Sequence, residues 1–231
     1  MPTLAPIAVS PRHAAAETAP LARPATVPGG YDIIAPAGQG TFCDIWHARD
    51  RHTGEPCVLK CLRTEWQDHR AARKLLENEA EIGRSVSSPH VVRVIDAFLK
   101  VPPRCVVLEW LSGRSLEAEL TARGPLPCND ALWIVRQCAQ GLLDLHQAGY
   151  AHGDVKPANI FLCEEGVAKL IDLGFARALR VPDDNRTLDD RGCLTGTPEY
   201  MAPESLSPAL RDGVSKDIYG LGVTLYRLLS G

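Results

Sequence analysis

The sequence predicts an α+β fold: a small antiparallel sheet with one helix, followed by a larger and mainly helical part. The first sign is a series of short runs, from Tyr31 onward, in which β-branched and aromatic residues alternate with glycine-containing turns, as hairpin-connected strands require. The second is one helical stretch over residues 65–86 that interrupts the strands. The third is a change of apolar period from strand-like to helical beyond about residue 115. No internal repeat occurs.

Composition limits the classes of function. Of 231 residues, 45% are hydrophobic and 23% charged, the balance of an ordinary globular chain with a sizeable core. A net charge of −3 gives no reason to expect a nucleic-acid partner. Eight cysteines are scattered without a C-x-x-C pair or a zinc-type Cys/His cluster. Cys57, Cys105 and Cys138 lie in apolar runs, where a thiol behaves as a small hydrophobe. The cysteines are therefore expected to be reduced and the compartment cytoplasmic. A redox switch among Cys43, Cys57 and Cys61 is the alternative. No run is long and apolar enough to span a membrane, and the N-terminus lacks a secretory h-region.

Residues 1–30 are rich in Pro and Ala and are expected to form a disordered tail, because they bury too little to offset the entropy of ordering. "YDIIAPA", "CDIWHA" and "EPCVLKCL" read as three antiparallel strands. The helix over 65–86 puts Leu75, Glu79, Ile82 and Val86 on one face. "VVRVIDAF" and "RCVVLEWL" read as two more strands. In "NDALWIVRQCAQGLLDLHQAG", Leu132, Val135, Ala139 and Leu142 form the expected buried face, with Asn129 as N-cap and Gly149 as the end.

Several residues suggest chemistry. Gly38 and Gly40 in "AGQGTFCDIW" would let backbone approach a phosphate, although a Gly-x-Gly hairpin is more often just a turn. No Walker A sequence occurs. Lys60 alone would read as a surface lysine on an alternating strand. Glu79 changes that reading, since a carboxylate in an apolar stripe needs a cationic partner and Lys60 is the candidate. Asp154, Lys156, Asn159 and Asp172 follow in an order that brings acids to strand-adjacent loops, where they could meet a metal.

Taken together, residues 31–231 resemble a eukaryotic-type protein kinase domain, in a style similar to bacterial Ser/Thr kinases. The motifs are "GQGTFCDI", "VLK" with Glu79, "HGDVKPAN", "DLG", "GTPEYMAPE" and "SKDIYGLGVTLYRLLSG". The resemblance implies a two-lobed fold, with a small lobe and hinge over 31–111 and part of a large lobe over 112–231. It implies ATP and Mg²⁺, and a protein substrate offering a Ser or Thr hydroxyl. ATP would lie under Ala37, Gly38, Gln39, Gly40, Thr41, Phe42, Cys43 and Ile45. The backbone of Glu109 to Leu111 would bond the adenine, with Leu108 behind it. Lys60, held by Glu79, would contact the phosphates, and Asn159 and Asp172 would hold the metal. Asp154 would take the hydroxyl proton, Lys156 would stabilise the γ-phosphoryl group, and Thr197 would favour Ser/Thr over Tyr.

The motifs depart from the family pattern in four ways. Cys43 stands for the third loop glycine, which would loosen the loop, and Leu173 stands for Phe in D-F-G. The sequence ends at Gly231, where the family continues with further helices, one of which supplies an Arg partner for Glu204. The large lobe is therefore expected to be incomplete, with low solubility or dependence on a partner. Gly153 stands where the loop usually carries Arg. "HGD" also occurs in small-molecule phosphotransferases of the aminoglycoside-kinase type, but those lack the platform "GTPEYMAPE". A non-catalytic nucleotide-binding scaffold is the other rival. Without the Arg cation, a phosphate on Thr187 or Thr195 would lose its main partner, so activity is expected not to wait for phosphorylation there.

Overall fold

The computed structural model describes residues 27–179, 197–206 and 213–231; the expected tail over 1–30 falls almost entirely outside them. Strands β1 (Tyr31–Gln39), β2 (Cys43–Asp50) and β3 (Pro56–Leu62) are followed by helix α1 (Arg70–Ser85), then β4 (Val94–Phe98) and β5 (Cys105–Glu109). The strands form one antiparallel five-stranded sheet in the order β1-β2-β3-β5-β4. Its alternation covers both faces, as a strand's period of two demands. Tyr31, Ile33, Trp46, Leu59 and Val107 pack on one face, and Leu62, Val106 and Leu108 meet Ala72, Leu76 and Ala80 of α1 on the other.

The second part begins with β6 (Gly113–Ser115), α2 (Leu116–Arg123) and α3 (Cys128–Gln147). Short strands β7 (Tyr150–Ala151), β8 (Ile160–Cys163), β9 (Ala168–Leu170) and β10 (Arg177–Ala178) follow, and α4 (Gly213–Ser230) packs on α3. The strands pair as β6-β8-β9 and β10-β7. Val91 forms a parallel bridge with Leu170 of β9, so the segment between α1 and β4 is bonded to the helical part. One core cluster crosses the boundary, joining Ile82, Val86 and Val91 to Leu142, Ile160, Leu170 and Leu173. Among the described residues, no helix is long and apolar enough to cross a membrane.

Three expectations are corrected. The first helix begins at Arg70, capped by His69, after a separate 3-10 turn at Thr64–Trp66. Leu76 rather than Leu75 is its buried leucine, and Val86 lies just past its end. On α3 the buried face is Ala131, Ile134, Cys138, Gly141, Leu142 and Leu145, whereas Leu132 is 50% exposed and Asn129 lies inside the helix after Pro127. That face uses small residues, which admit a close neighbour: a Cβ on Gly141 would come within 2.7 Å of the His90 carbonyl. Finally, the cysteines are not all reduced. Cys61 and Cys105 face each other in the β3–β5 register and are bonded, with sulfurs 2.26 Å apart. Cys43 and Cys57, of the alternative switch, are free and buried.

Candidate active site

Alternation on β3 sends Cys57, Leu59 and Cys61 into one core and turns Lys60 toward α1. The Lys60 Nζ lies 2.7 Å from Glu79 Oε2 and 2.8 Å from Asp172 Oδ1. Burial works against the ammonium, but Asp172 and Glu79 outweigh it and raise its pKa. Burial also opposes ionisation of Asp172, yet the charge and hydrogen bond of Lys60 and the Gly174 N–H hold that carboxyl below its usual range. For Glu79 burial outweighs the Lys60 ammonium, and the nearby Asp172 carboxylate adds to it, so its pKa is raised.

The β1–β2 turn is closed by Gly40 N–H donating to the Cys43 carbonyl at 2.7 Å. Ala37, Gly38 and Gln39 belong to β1, while Gly40, Thr41 and Phe42 form the turn. Ile45 pairs with both Gly38 and Lys60, so it sits over the cleft side of the sheet. Phe42 meets Trp66 edge-on, with ring centroids 4.9 Å apart. Cys43, expected from the sequence to loosen the loop, lies just beyond the turn. It belongs to β2, is buried with Leu62 and Ala72, and has its thiol pushed up to about 12, mainly by burial.

At the end of β5, Leu108 is buried and Leu111 packs partly against the α1-side core. The Glu109 carboxylate accepts from Lys169 Nζ at 2.6 Å and from Arg93 N at 2.9 Å. Trp110 stacks on His47 of β2, with centroids 4.0 Å apart. The sequence carried no local sign of that stack, which joins residues from distant segments.

The loop after β7 gathers the remaining candidates. Asp154 is buried, and its Oδ2 lies 2.7 Å from Lys156 Nζ and accepts from Asn159 Nδ2 at 2.8 Å. Thr197 N–H donates to Asp154 Oδ1 at 3.2 Å, and Lys156 also donates to the Thr197 hydroxyl. Asn159 carries Ile171 on its own carbonyl at 2.9 Å, which sets Asp172 beside the loop. Thus Asp154, Lys156, Asn159 and Thr197 form one cluster, and Lys60, Glu79 and Asp172 an adjacent one. Thr187 and Thr195 lie outside the described residues.

Asp217 of α4 is a site-supporting residue that the motifs did not single out. It is buried, and its two oxygens accept from the backbone N–H groups of His152 and Gly153, each at 2.8 Å, while His146 Nε2 lies 2.8 Å away. The same argument that identified Glu79 would have found it: an acid on the apolar face made by Gly220, Leu221, Thr224 and Leu228 needs partners. Gly153 has φ +82, and a Cβ there would stand 2.5 Å from the Phe175 carbonyl. The position excludes a side chain as well as lacking a charged one.

The oxygen donors suit magnesium. Among the described residues no group of three or more His, Cys, Asp or Glu side chains gathers as a dedicated metal cage. Magnesium usually needs only one or two carboxylates or amide oxygens, completed by substrate phosphates and water. Asp172 supplies a carboxylate. Asn159 commits its amide nitrogen to Asp154, leaving its oxygen for a cation.

The sequence profile of the protein kinase domain matches residues 31–231. Serine/threonine-protein kinase pkn2 of Myxococcus xanthus is 33% identical over 206 residues, covering 88% of this chain and 24% of that protein. Serine/threonine-protein kinase PknA of Corynebacterium glutamicum is 32% identical over 200 residues, covering 84% and 41%. PrkC of Bacillus subtilis is 29% identical over 205 residues, covering 89% and 31%. The chain thus spans well under half of the length of these relatives.

Proposed function

The chain belongs to the protein kinase family, and from that premise we propose that it transfers the γ-phosphoryl group of ATP to a Ser or Thr hydroxyl of a protein substrate. The observation that carries this reading is the hold on Asp154. Its Oδ2 is met by Lys156 and Asn159 and its Oδ1 by the Thr197 N–H. A carboxylate fixed in this way can orient an incoming hydroxyl and accept its proton. Lys156, beside it, offsets charge on the transferring group and on its way to the acceptor oxygen.

Lys60 binds the α- and β-phosphates, and Glu79 keeps its ammonium from folding back onto the protein. The backbone at 109–111 bonds the adenine, against Leu108, and the β1–β2 hairpin over residues 37–45, with its turn at 40–42, covers the phosphates. Asp172 and Asn159 hold magnesium, which when bound neutralises the phosphate oxygens. Positioning and electrostatics supply most of such catalysis. Every one of these groups is present, which disfavours a non-catalytic scaffold. The relatives' names favour a protein substrate over a small molecule.

Asp154→Asn tests the reading. The wild-type chain should phosphorylate casein or myelin basic protein with radiolabelled ATP and Mg²⁺. The variant should bind nucleotide as before and lose transfer by about a hundredfold or more, the usual worth of a general base. Equal rates would remove Asp154 from its role.

A further inference from the structure

Asn78 precedes Glu79 on α1 and also reaches the site. Its Nδ2 donates to the Gly174 carbonyl at 3.3 Å. Gly174 belongs to the 3-10 turn Leu173–Phe175, which starts from Asp172 in the left-handed conformation, φ 63 and ψ 74. Outside glycine that region is uncommon, and Asp is among the few residues that enter it, through a local bond of its carboxylate to backbone. On the turn's other side, the Gly174 N–H donates to Asp172 Oδ1 at 3.4 Å. The contacts close a ring: Asn78 to Gly174, Gly174 to Asp172, Asp172 to Lys60, Lys60 to Glu79, and Glu79 back along the helix to Asn78. The turn lies tight against α1, since a Cβ on Gly174 would meet the Leu75 carbonyl at 3.4 Å, and Leu173 is fully buried.

We propose that Asn78 is a positioning residue for phosphoryl transfer, whose amide ties the Gly174 turn to α1 and so fixes the Asp172 carboxylate. The proposal rests on the kinase reading above. The two arms of the ring differ in kind. The Lys60 arm holds Asp172 by charge, and a cation at Asp172 competes with it directly. The Asn78 arm is a neutral hydrogen bond to backbone and does not involve the carboxylate. It keeps helix and turn together when the carboxylate is committed elsewhere.

The test uses Asn78→Ala and Asn78→Leu, the second keeping the branching and the number of side-chain heavy atoms while removing the donor. Both should lower kcat about fivefold, the order of one ordinary hydrogen bond, and raise the Mg²⁺ concentration needed for half-maximal rate. KM for the protein substrate should stay within about twofold, since neither change touches Asp154 or Thr197. Amide exchange over residues 171–177, measured by mass spectrometry without magnesium, should quicken about fivefold in both variants while α3 exchanges as in the wild type. A Leu variant that behaves as wild type would show that position 78 only fills space and would overturn the proposal. So would unchanged exchange over the turn, or equal acceleration in α3, which would mean general destabilisation. Should the wild type transfer no phosphate, the kinase reading fails, while the exchange comparison still decides whether Asn78 holds the turn.

Discussion

Lys60 answers to two carboxylates at once, Glu79 on its own side of the cleft and Asp172 on the other. Its raised pKa means that its contribution to stability is fully present below the unfolded value of ~10.4 and is lost as pH rises through the folded value. The depressed Asp172 contributes above ~3.9 and loses that as pH falls through its folded value. Both contributions are therefore in force from about pH 5 to pH 8. In Lys60→Met the Glu79 carboxyl loses its cation, and burial raises its pKa further. The folded variant then takes up a proton more readily than the unfolded chain, so it gains stability relative to wild type as pH falls. Urea unfolding should show a loss of about 3 kcal/mol at pH 7, the usual cost of removing one partner of a buried pair, and a clearly smaller loss at pH 5. A loss independent of pH would mean that Glu79 does not carry the cost. Glu79 was legible in the sequence because an acid on the apolar stripe read through Leu75, Ile82 and Val86 contradicts its surroundings. Gly153 was legible only as a missing charge; that it sits at φ +82 against the Phe175 carbonyl depends on a segment more than twenty residues away, and no local pattern encodes that contact.

Each element was visible where its apolar period was strong, but its exact face was set by its neighbours. On α3 the sequence pattern favours Leu132, Val135, Ala139 and Leu142 as the face, yet besides Leu142 the helix presents small residues, Ala131, Cys138 and Gly141, where the His90 backbone approaches. Helix period fixes the spacing of a face but not which of two overlapping faces meets a partner. The same limit explains the cysteines. Cys61 and Cys105 are 44 residues apart in sequence, and only the β3–β5 register makes them opposite. Closing a loop of that length removes freedom from the unfolded chain worth about 4 kcal/mol in the chain-entropy account. Titration of the unfolded protein with a thiol reagent should find two fewer thiols before reduction than after. Reduction should lower the urea midpoint, and Cys61→Ala should abolish that sensitivity. Equal thiol counts would show the pair to be open in solution.

The two lobes are joined at several places at once: the Val91–Leu170 bridge, the Glu109–Lys169 ion pair, the Lys60–Asp172 contact, and a core that runs from Ile82 to Leu173. The motif order made both lobes legible. Their docking was not, because its contacts link residues widely separated along the chain. A shared core and several cross-ties should make the lobes unfold together, since neither keeps its buried surface when the other is lost. A nucleotide bound between them therefore stabilises the whole. At a free concentration a hundred times its Kd, a ligand that binds only the folded state adds about 2.7 kcal/mol, which for a chain of this size is a rise in Tm of about 5–10 °C. Melting with ADP and Mg²⁺ should show one transition moved upward by that order, and EDTA should remove most of the rise. Asp172→Ala should abolish the EDTA-sensitive part and keep the smaller shift from nucleotide alone, because Lys60 and the 109–111 backbone remain. Two separate transitions, only one of them moved by ligand, would show that the lobes fold independently and that the contacts across the cleft add little to stability. A full magnesium-dependent shift in Asp172→Ala would place the metal on other residues.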